Sequence, residues 1–238
     1  MRQIPLAIGP EPEVGFDSFV PGANAAALTH LRTLAPAAAP VYLWGPAGSG
    51  KTHLLRSLAR QAREGGQQVG WFDAATPPPS PAWLPQAGWN LVVVDRCEAL
   101  DAHAQHAVFA LFEDAAAHGV QFAAAGTLPP VDLPLRDDLR TRLAWGHVFA
   151  LQPLGEAETR AALRRVADRR GIFLSDDVMD HMLQRFPRDL AHLLGLLSRL
   201  DRYSLERSRQ VTVPLLRQML EVDGADGAPA GADAALTP

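Results

Sequence analysis

The sequence has 238 residues, 47% hydrophobic and 20% charged, which is enough for one large domain or one domain with a small appendage and unlike a disordered, collagen-like or coiled-coil chain. Its 22 basic and 26 acidic residues leave a net charge of −4, the wrong sign for a protein whose main work is gripping nucleic-acid phosphates. A lone cysteine, Cys97, rules out an intramolecular disulfide framework, and no apolar run approaches the roughly 18 residues of a membrane span, so the expected location is the cytoplasm with no membrane partner.

The first dozen residues hold three prolines and no periodicity, and read as an extended tail over 1–12. Residues 24–34 predict a helix capped by Asn24, followed by a breaker run from Ala35 to Pro40. Val41 to Trp44 is a short apolar strand leading into a glycine turn, and Thr52 to Arg63 has helical spacing. A strand at Val69–Phe72 precedes a proline-rich loop. Leu91-Val92-Val93-Val94 is apolar at every position, as expected of a central parallel strand buried on both faces.

A helix over 102–118 leads into another buried strand at Val120–Ala125. After the arginine-rich stretch 136–142 comes a last strand at Val148–Leu151. Strands alternating with helices predict an α/β fold with a parallel sheet flanked by helices over 13–152. From Gly155 the character changes to helical patterns at 156–170, 176–185, 189–207 and 213–221, a small all-α lid domain over 153–222. Residues 223–238, rich in Ala, Gly and Asp, are expected to lack structure.

Of the 22 basic residues only one is lysine, Lys51, and it lies in a loop with a chemical use for it. Gly45-Pro46-Ala47-Gly48-Ser49-Gly50-Lys51-Thr52 matches the G-x-x-x-x-G-K-[ST] phosphate loop and sits between a strand and a helix, as the motif requires. The glycines let backbone N–H groups converge on phosphates at a positive helix N-terminus. Lys51 is then expected to reach the β/γ-phosphates and Thr52 to hold Mg²⁺. The second metal-organising carboxylate is expected at the end of a neighbouring strand, where Asp95 follows LVVV.

The loop GPAGSGKTHLL, the Asp95 strand and the segment FDSFVPGAN at 16–24 together resemble the P-loop AAA+ module of the bacterial replication initiator DnaA, over about residues 13–222. In that family an acidic residue usually follows the strand-end Asp to orient the attacking water, whereas this chain has Arg96, so intrinsic hydrolysis is expected to be weak or absent. Glu98 could substitute only if the chain bends sharply after Asp95. The resemblance implies several further roles. AGTLPP at 125–130 resembles the sensor 1 strand end and puts Thr127 in the polar sensing place. DDLRTRLAWG at 137–146 resembles the segment carrying the arginine finger and puts that role on Arg142, with Arg140 as the competing candidate. FPRDLAHL at 186–193 resembles the sensor 2 helix and puts nucleotide contact on Arg188, while Phe19, Val20 and Asn24 fall in the adenine-side wall.

Two departures sharpen the expectation. DnaA proteins follow this module with a DNA-binding domain, whereas this sequence ends 16 residues after the helical lid, so sequence-specific DNA binding is not expected and DNA is met only indirectly. Gln3-Ile4-Pro5-Leu6-Ala7-Ile8 resembles the Q-x-x-L-x-[LI] peptide that docks on the sliding clamp, the β subunit of DNA polymerase III. Leu6 and Ile8 would be its apolar anchors and Gln3 would fix its register. This layout resembles the Hda family of DnaA regulators. It implies an ADP- or ATP-bound, Mg²⁺-dependent protein that uses clamp and DnaA as partners, stimulates hydrolysis of DnaA-bound ATP through an arginine finger in trans, and so prevents re-initiation. The competing expectation is a self-sufficient P-loop ATPase acting as a helicase-loader-like remodelling factor.

Overall fold

A computed structural model describes residues 14–76, 88–187 and 189–226. They divide into two compact units, with the break between Glu158 and Thr159.

The first unit is built on five parallel strands, β1 (Val41–Trp44), β2 (Val69–Phe72), β3 (Leu91–Val94), β4 (Gln121–Gly126) and β5 (His147–Ala150). Their order across the sheet is β2-β3-β4-β1-β5. Leu43 pairs with Ala125 on one side and Phe149 on the other, which fixes the central register. Alternate side chains point to opposite faces and so build two cores. Val41, Leu43 and Val93 face α1 (Ala25–Arg32) and α2 (Lys51–Glu64), while Tyr42, Val92 and Val94 pack with Phe112 of α3 (Ala102–His118) and Leu139 of α4 (Asp137–Leu143). In α2 the inward positions Leu54, Leu55, Leu58 and Ala62 recur at helical spacing. Helix α3 starts where Asp101 accepts the Ala104 N–H at 2.7 Å, and it stops at Gly119, whose left-handed φ of 67° an ordinary side chain resists.

The second unit is all-helical. Helix α5 (Glu156–Arg169) spans the break and is followed by α6 (Asp176–Arg185), α7 (Leu190–Arg207) and α8 (Val213–Asp226). Its core joins Leu163, Met179, Met182, Leu193, Leu197, Leu200 and Leu216. Ser175 and Asp189 cap α6 and α7 by accepting the Val178 and Ala191 N–H groups. Arg160 pairs with Asp180, and Arg170 donates to the Ser198 hydroxyl at 2.7 Å, tying α5 to its neighbours.

Besides one-residue shifts at the ends of β4 and β5, the structure differs from the sequence expectation in three places. Helix α8 runs to Asp226, beyond the boundary at 222 read from composition. The arginine-rich stretch is a short helix, α4, whose only buried apolar residues are Leu139 and Leu143, an i, i+4 pair too sparse to read as a period. Asn24 precedes α1 but makes no side-chain cap; its amide instead bonds the backbone of Gln152 twice, at 2.8 Å each way.

Candidate functional site

The loop from Gly45 to Gly50 connects β1 to α2 at the C-terminal end of the sheet. Three of its residues need glycine. Gly45, Gly48 and Gly50 have φ of 149°, 76° and 93°, and a Cβ on Gly45 would lie 2.3 Å from the Leu151 carbonyl oxygen. Pro46 and Ala47 lie on the exposed rim and Ser49 is buried beneath it. The Lys51 ammonium folds back over the loop, donating to the carbonyls of Gly45 at 2.6 Å and Pro46 at 2.8 Å. Burial lowers the Lys51 pKa, while the negative charges of Glu98 and Asp95 oppose that shift. Those contacts occupy the donors that a phosphate would otherwise take.

At the end of β3, Asp95 is buried and both its oxygens are engaged. One accepts the Thr52 hydroxyl at 2.7 Å and the other accepts the Arg96 N–H at 3.0 Å. A hydroxyl and a carboxylate oxygen side by side at a helix N-terminus suit a hard cation such as Mg²⁺, which usually takes one or two protein oxygens and completes its shell with water and phosphate. Among the described residues no three His, Cys, Asp or Glu side chains cluster as a closed metal cage.

After Asp95 the chain turns abruptly. Arg96 sits at φ 55°, ψ 52°, the left-handed region that costs a non-glycine residue about 1–3 kcal/mol, and a short 3₁₀ turn Cys97–Ala99 follows. Arg96 points away to Asp73 after β2, at 3.0 Å. Glu98 turns inward, and its Oε2 accepts the Thr127 N–H at 3.1 Å. Cys97 lies sealed beneath the turn, where burial pushes its thiol pKa up and leaves it unreactive.

The segment before α1 closes one side of the loop. The Phe19 ring lies so close to Gly50 that a Cβ there would be 2.6 Å from its Cε2. His53 holds this segment, because its Nε2–H donates to the Gly15 carbonyl at 3.1 Å while its ring packs 5.5 Å from that of Phe19. Val20 is half-buried in the same stretch. His53 escaped the sequence reading: it follows the motif by one residue and has no signature until the fold brings Gly15 to it.

Phe19, the Gly45–Thr52 loop, Asp95, Glu98 and Thr127 therefore converge at one end of the sheet, joined by the contacts above. Arg142 lies elsewhere, on α4. Its Nε pairs with Glu113 of α3 at 2.7 Å and its guanidinium covers the exposed Trp145 ring at 5.5 Å. Arg140 donates to the Val131 carbonyl at 3.1 Å and pairs with Asp137. Because α4 is helical, the two arginines, two residues apart, do not share a face. Gln3, Leu6, Ile8 and Arg188 lie outside the described residues.

The model of the bacterial DnaA ATPase domain matches residues 11–70, and that of the Hda lid domain matches residues 156–220. Domain III of the Thermotoga maritima replication initiation protein DnaA is similar with a TM-score of 0.71 at 21% identity, over 90% of this chain and 98% of that one. An AMPPCP-bound DnaA from Aquifex aeolicus is similar at 0.66 and 18%, over 91% and 71% of the two chains. A RuvB variant from Thermotoga maritima is similar at 0.67 and 16%, over 88% and 72%. A parallel sheet in this strand order, with the phosphate loop after β1 and the acidic strand end at β3, makes the molecule a P-loop protein of the AAA+ fold. Within that class, the ATPase-domain match at one end and the lid match at the other make it a DnaA/Hda-like AAA+ protein.

Proposed function

We propose that this chain is an adenine-nucleotide-binding regulator of replication initiation that docks on the sliding clamp through Gln3, Leu6 and Ile8 and stimulates hydrolysis of DnaA-bound ATP through Arg142. The observation that carries this reading is the pairing, in one chain, of a DnaA-type ATPase segment at 11–70 with an Hda-type lid at 156–220.

The nucleotide site does its work through positioned donors. Backbone N–H groups from Gly45 to Gly50 cradle the phosphates, Lys51 swings from the Gly45 and Pro46 carbonyls onto the β/γ-phosphates, and Thr52 with Asp95 holds the magnesium ion that neutralises phosphate charge. Phe19 and Val20 supply an apolar wall, with Thr127 and Arg188 as polar sensors. Two DnaA neighbours of the same fold are described as bound to AMPPCP, a nucleoside triphosphate analogue.

The regulatory step belongs to Arg142. Its side chain is 36% exposed and bound to Glu113 by one surface ion pair, worth only about 0–1 kcal/mol, so it can exchange Glu113 for a phosphate without a large penalty. A guanidinium delivered to a partner's γ-phosphoryl oxygens stabilises the charge that develops there, and such fingers are worth about 10³- to 10⁵-fold in rate. DnaA so converted to its ADP form no longer initiates.

The test is a reconstitution in which ATP-loaded DnaA is incubated with this protein, with DNA-loaded clamp, and with both. The reading expects the ATP fraction on DnaA to fall only in the complete mixture. An unchanged ATP fraction there would contradict it.

A further inference from the structure

The turn after β3 puts a carboxylate where the sequence, read residue by residue, has an arginine. In AAA+ sites of the usual pattern the water-orienting acid directly follows the strand-end Asp, and here that position, Arg96, is committed to Asp73 at 3.0 Å. The left-handed Arg96 turns the chain abruptly, so that Glu98, three positions beyond Asp95, comes back to the end of β4. Its Oε2 accepts the backbone N–H of Thr127 just past β4 and lies 3.2 Å from where a Cβ on Gly126 would sit, and Gly126 pairs with Trp44, the last residue before the phosphate loop. The left-handed turn is a strained conformation, of the kind that persists where surrounding structure enforces it at working sites.

From this geometry we propose that Glu98 is the carboxylate that orients the attacking water, and that the chain slowly hydrolyses its own bound ATP and thereby sets itself in the ADP state. Anchoring Oε2 to Thr127 leaves Oε1 to accept a hydrogen bond from a water in line with the γ-phosphorus. In the step, the water oxygen bonds to the γ-phosphorus and the bond from that phosphorus to the β,γ-bridging oxygen breaks. ADP leaves with the electron pair, and the water proton passes through Glu98 to solvent, giving ADP, inorganic phosphate and one proton. Lys51 and the Gly45–Gly50 amides hold the phosphates during the exchange. The inference rests on the nucleotide site proposed above and is independent of any partner.

The experiment uses the full chain, loaded with labelled ATP and magnesium and freed of excess nucleotide. Single-turnover conversion to ADP is followed for the wild type and Glu98→Gln, with ATP affinity of each measured by calorimetry. Glutamine keeps a carbonyl oxygen to accept from Thr127 and loses only the proton acceptor, so binding should stay within about threefold while hydrolysis falls by about 10²-fold or more. The protein purified from cells should carry ADP in the wild type and ATP in Glu98→Gln. Wild-type protein that retains its ATP unhydrolysed, or a Glu98→Gln variant that hydrolyses it equally fast, would overturn the inference and leave the nucleotide site standing. Failure of the wild type to bind ATP would overturn both.

Discussion

The Thr52 hydroxyl donates to Asp95 Oδ2 across 2.7 Å, joining the first turn of α2 to the end of β3. Because the other Asp95 oxygen accepts the Arg96 N–H, this one buried side chain joins the proposed cation site to the turn that carries Glu98. Asp95→Ala should cost about 1–3 kcal/mol of stability from the donors left unpaired. It should also remove the magnesium dependence of nucleotide affinity. Calorimetric titration with and without magnesium checks this, and an undiminished magnesium effect in the variant would count against Asp95.

Gly50 carries two constraints at once, a φ of 93° and the Phe19 ring 2.6 Å from where a Cβ would sit. Gly50→Ala should weaken ADP binding at least about tenfold, since it strains the backbone and displaces the ring together. Adding Phe19→Ala restores space but not conformation. The double variant should therefore recover part of the thermal stability lost in Gly50→Ala, a non-additivity that a thermal melt would reveal.

Asn24 bonds the Gln152 backbone as both donor and acceptor, fastening the start of α1 to the residue after Leu151. Asn24→Ala leaves the Gln152 N–H and carbonyl without those partners, and the two lost hydrogen bonds are worth about 0.5–1.5 kcal/mol apiece because Gln152 is open to water. The expected fall in melting temperature is several degrees, on the scale of about 2–4 °C per kcal/mol for a chain of this size. Asn24→Asp, which keeps an acceptor for the Gln152 N–H, should fall less.

Acid should loosen the phosphate-loop side of the sheet. Burial lowers the His53 pKa, with the Gly15 hydrogen bond opposing the shift and Arg56 adding to it; burial and the nearby His147 lower that of His30. In both, the folded state favours the neutral ring. Their stabilising effect is therefore complete above the ordinary value of about 6.5 and is lost as pH falls from there through the depressed folded value. Urea midpoints should decline between pH 7 and pH 5, and His53→Gln should flatten that decline. An unaltered slope would remove His53 from the account.

Much of this site can be read from the sequence because its parts are contiguous. The phosphate loop is one unbroken motif between a strand and a helix, and Asp95 ends a run of four fully apolar residues that can hardly be anything except a central strand. The strands and most helices lie where the apolar periods put them, with strand ends displaced by a residue. What the sequence conceals depends on single backbone angles and distant contacts. Nothing in DRCEA reveals that Arg96 adopts a left-handed conformation, since a glycine or asparagine would normally signal it. The positions of Glu98, His53 and Asn24 all follow from bonds to residues 29, 38 and 128 positions away. Short-range patterns carry no trace of such pairings.

The central claim is that Arg142 acts on a neighbour's nucleotide. It is tested most directly by single-turnover hydrolysis of labelled ATP prebound to DnaA, in the presence of DNA-loaded clamp and of wild-type protein, Arg142→Ala or Arg140→Ala. The account predicts clamp-dependent acceleration by the wild type and by Arg140→Ala, and its loss, by about 10³-fold or more, in Arg142→Ala that still binds nucleotide and clamp normally. Full acceleration by Arg142→Ala would contradict it.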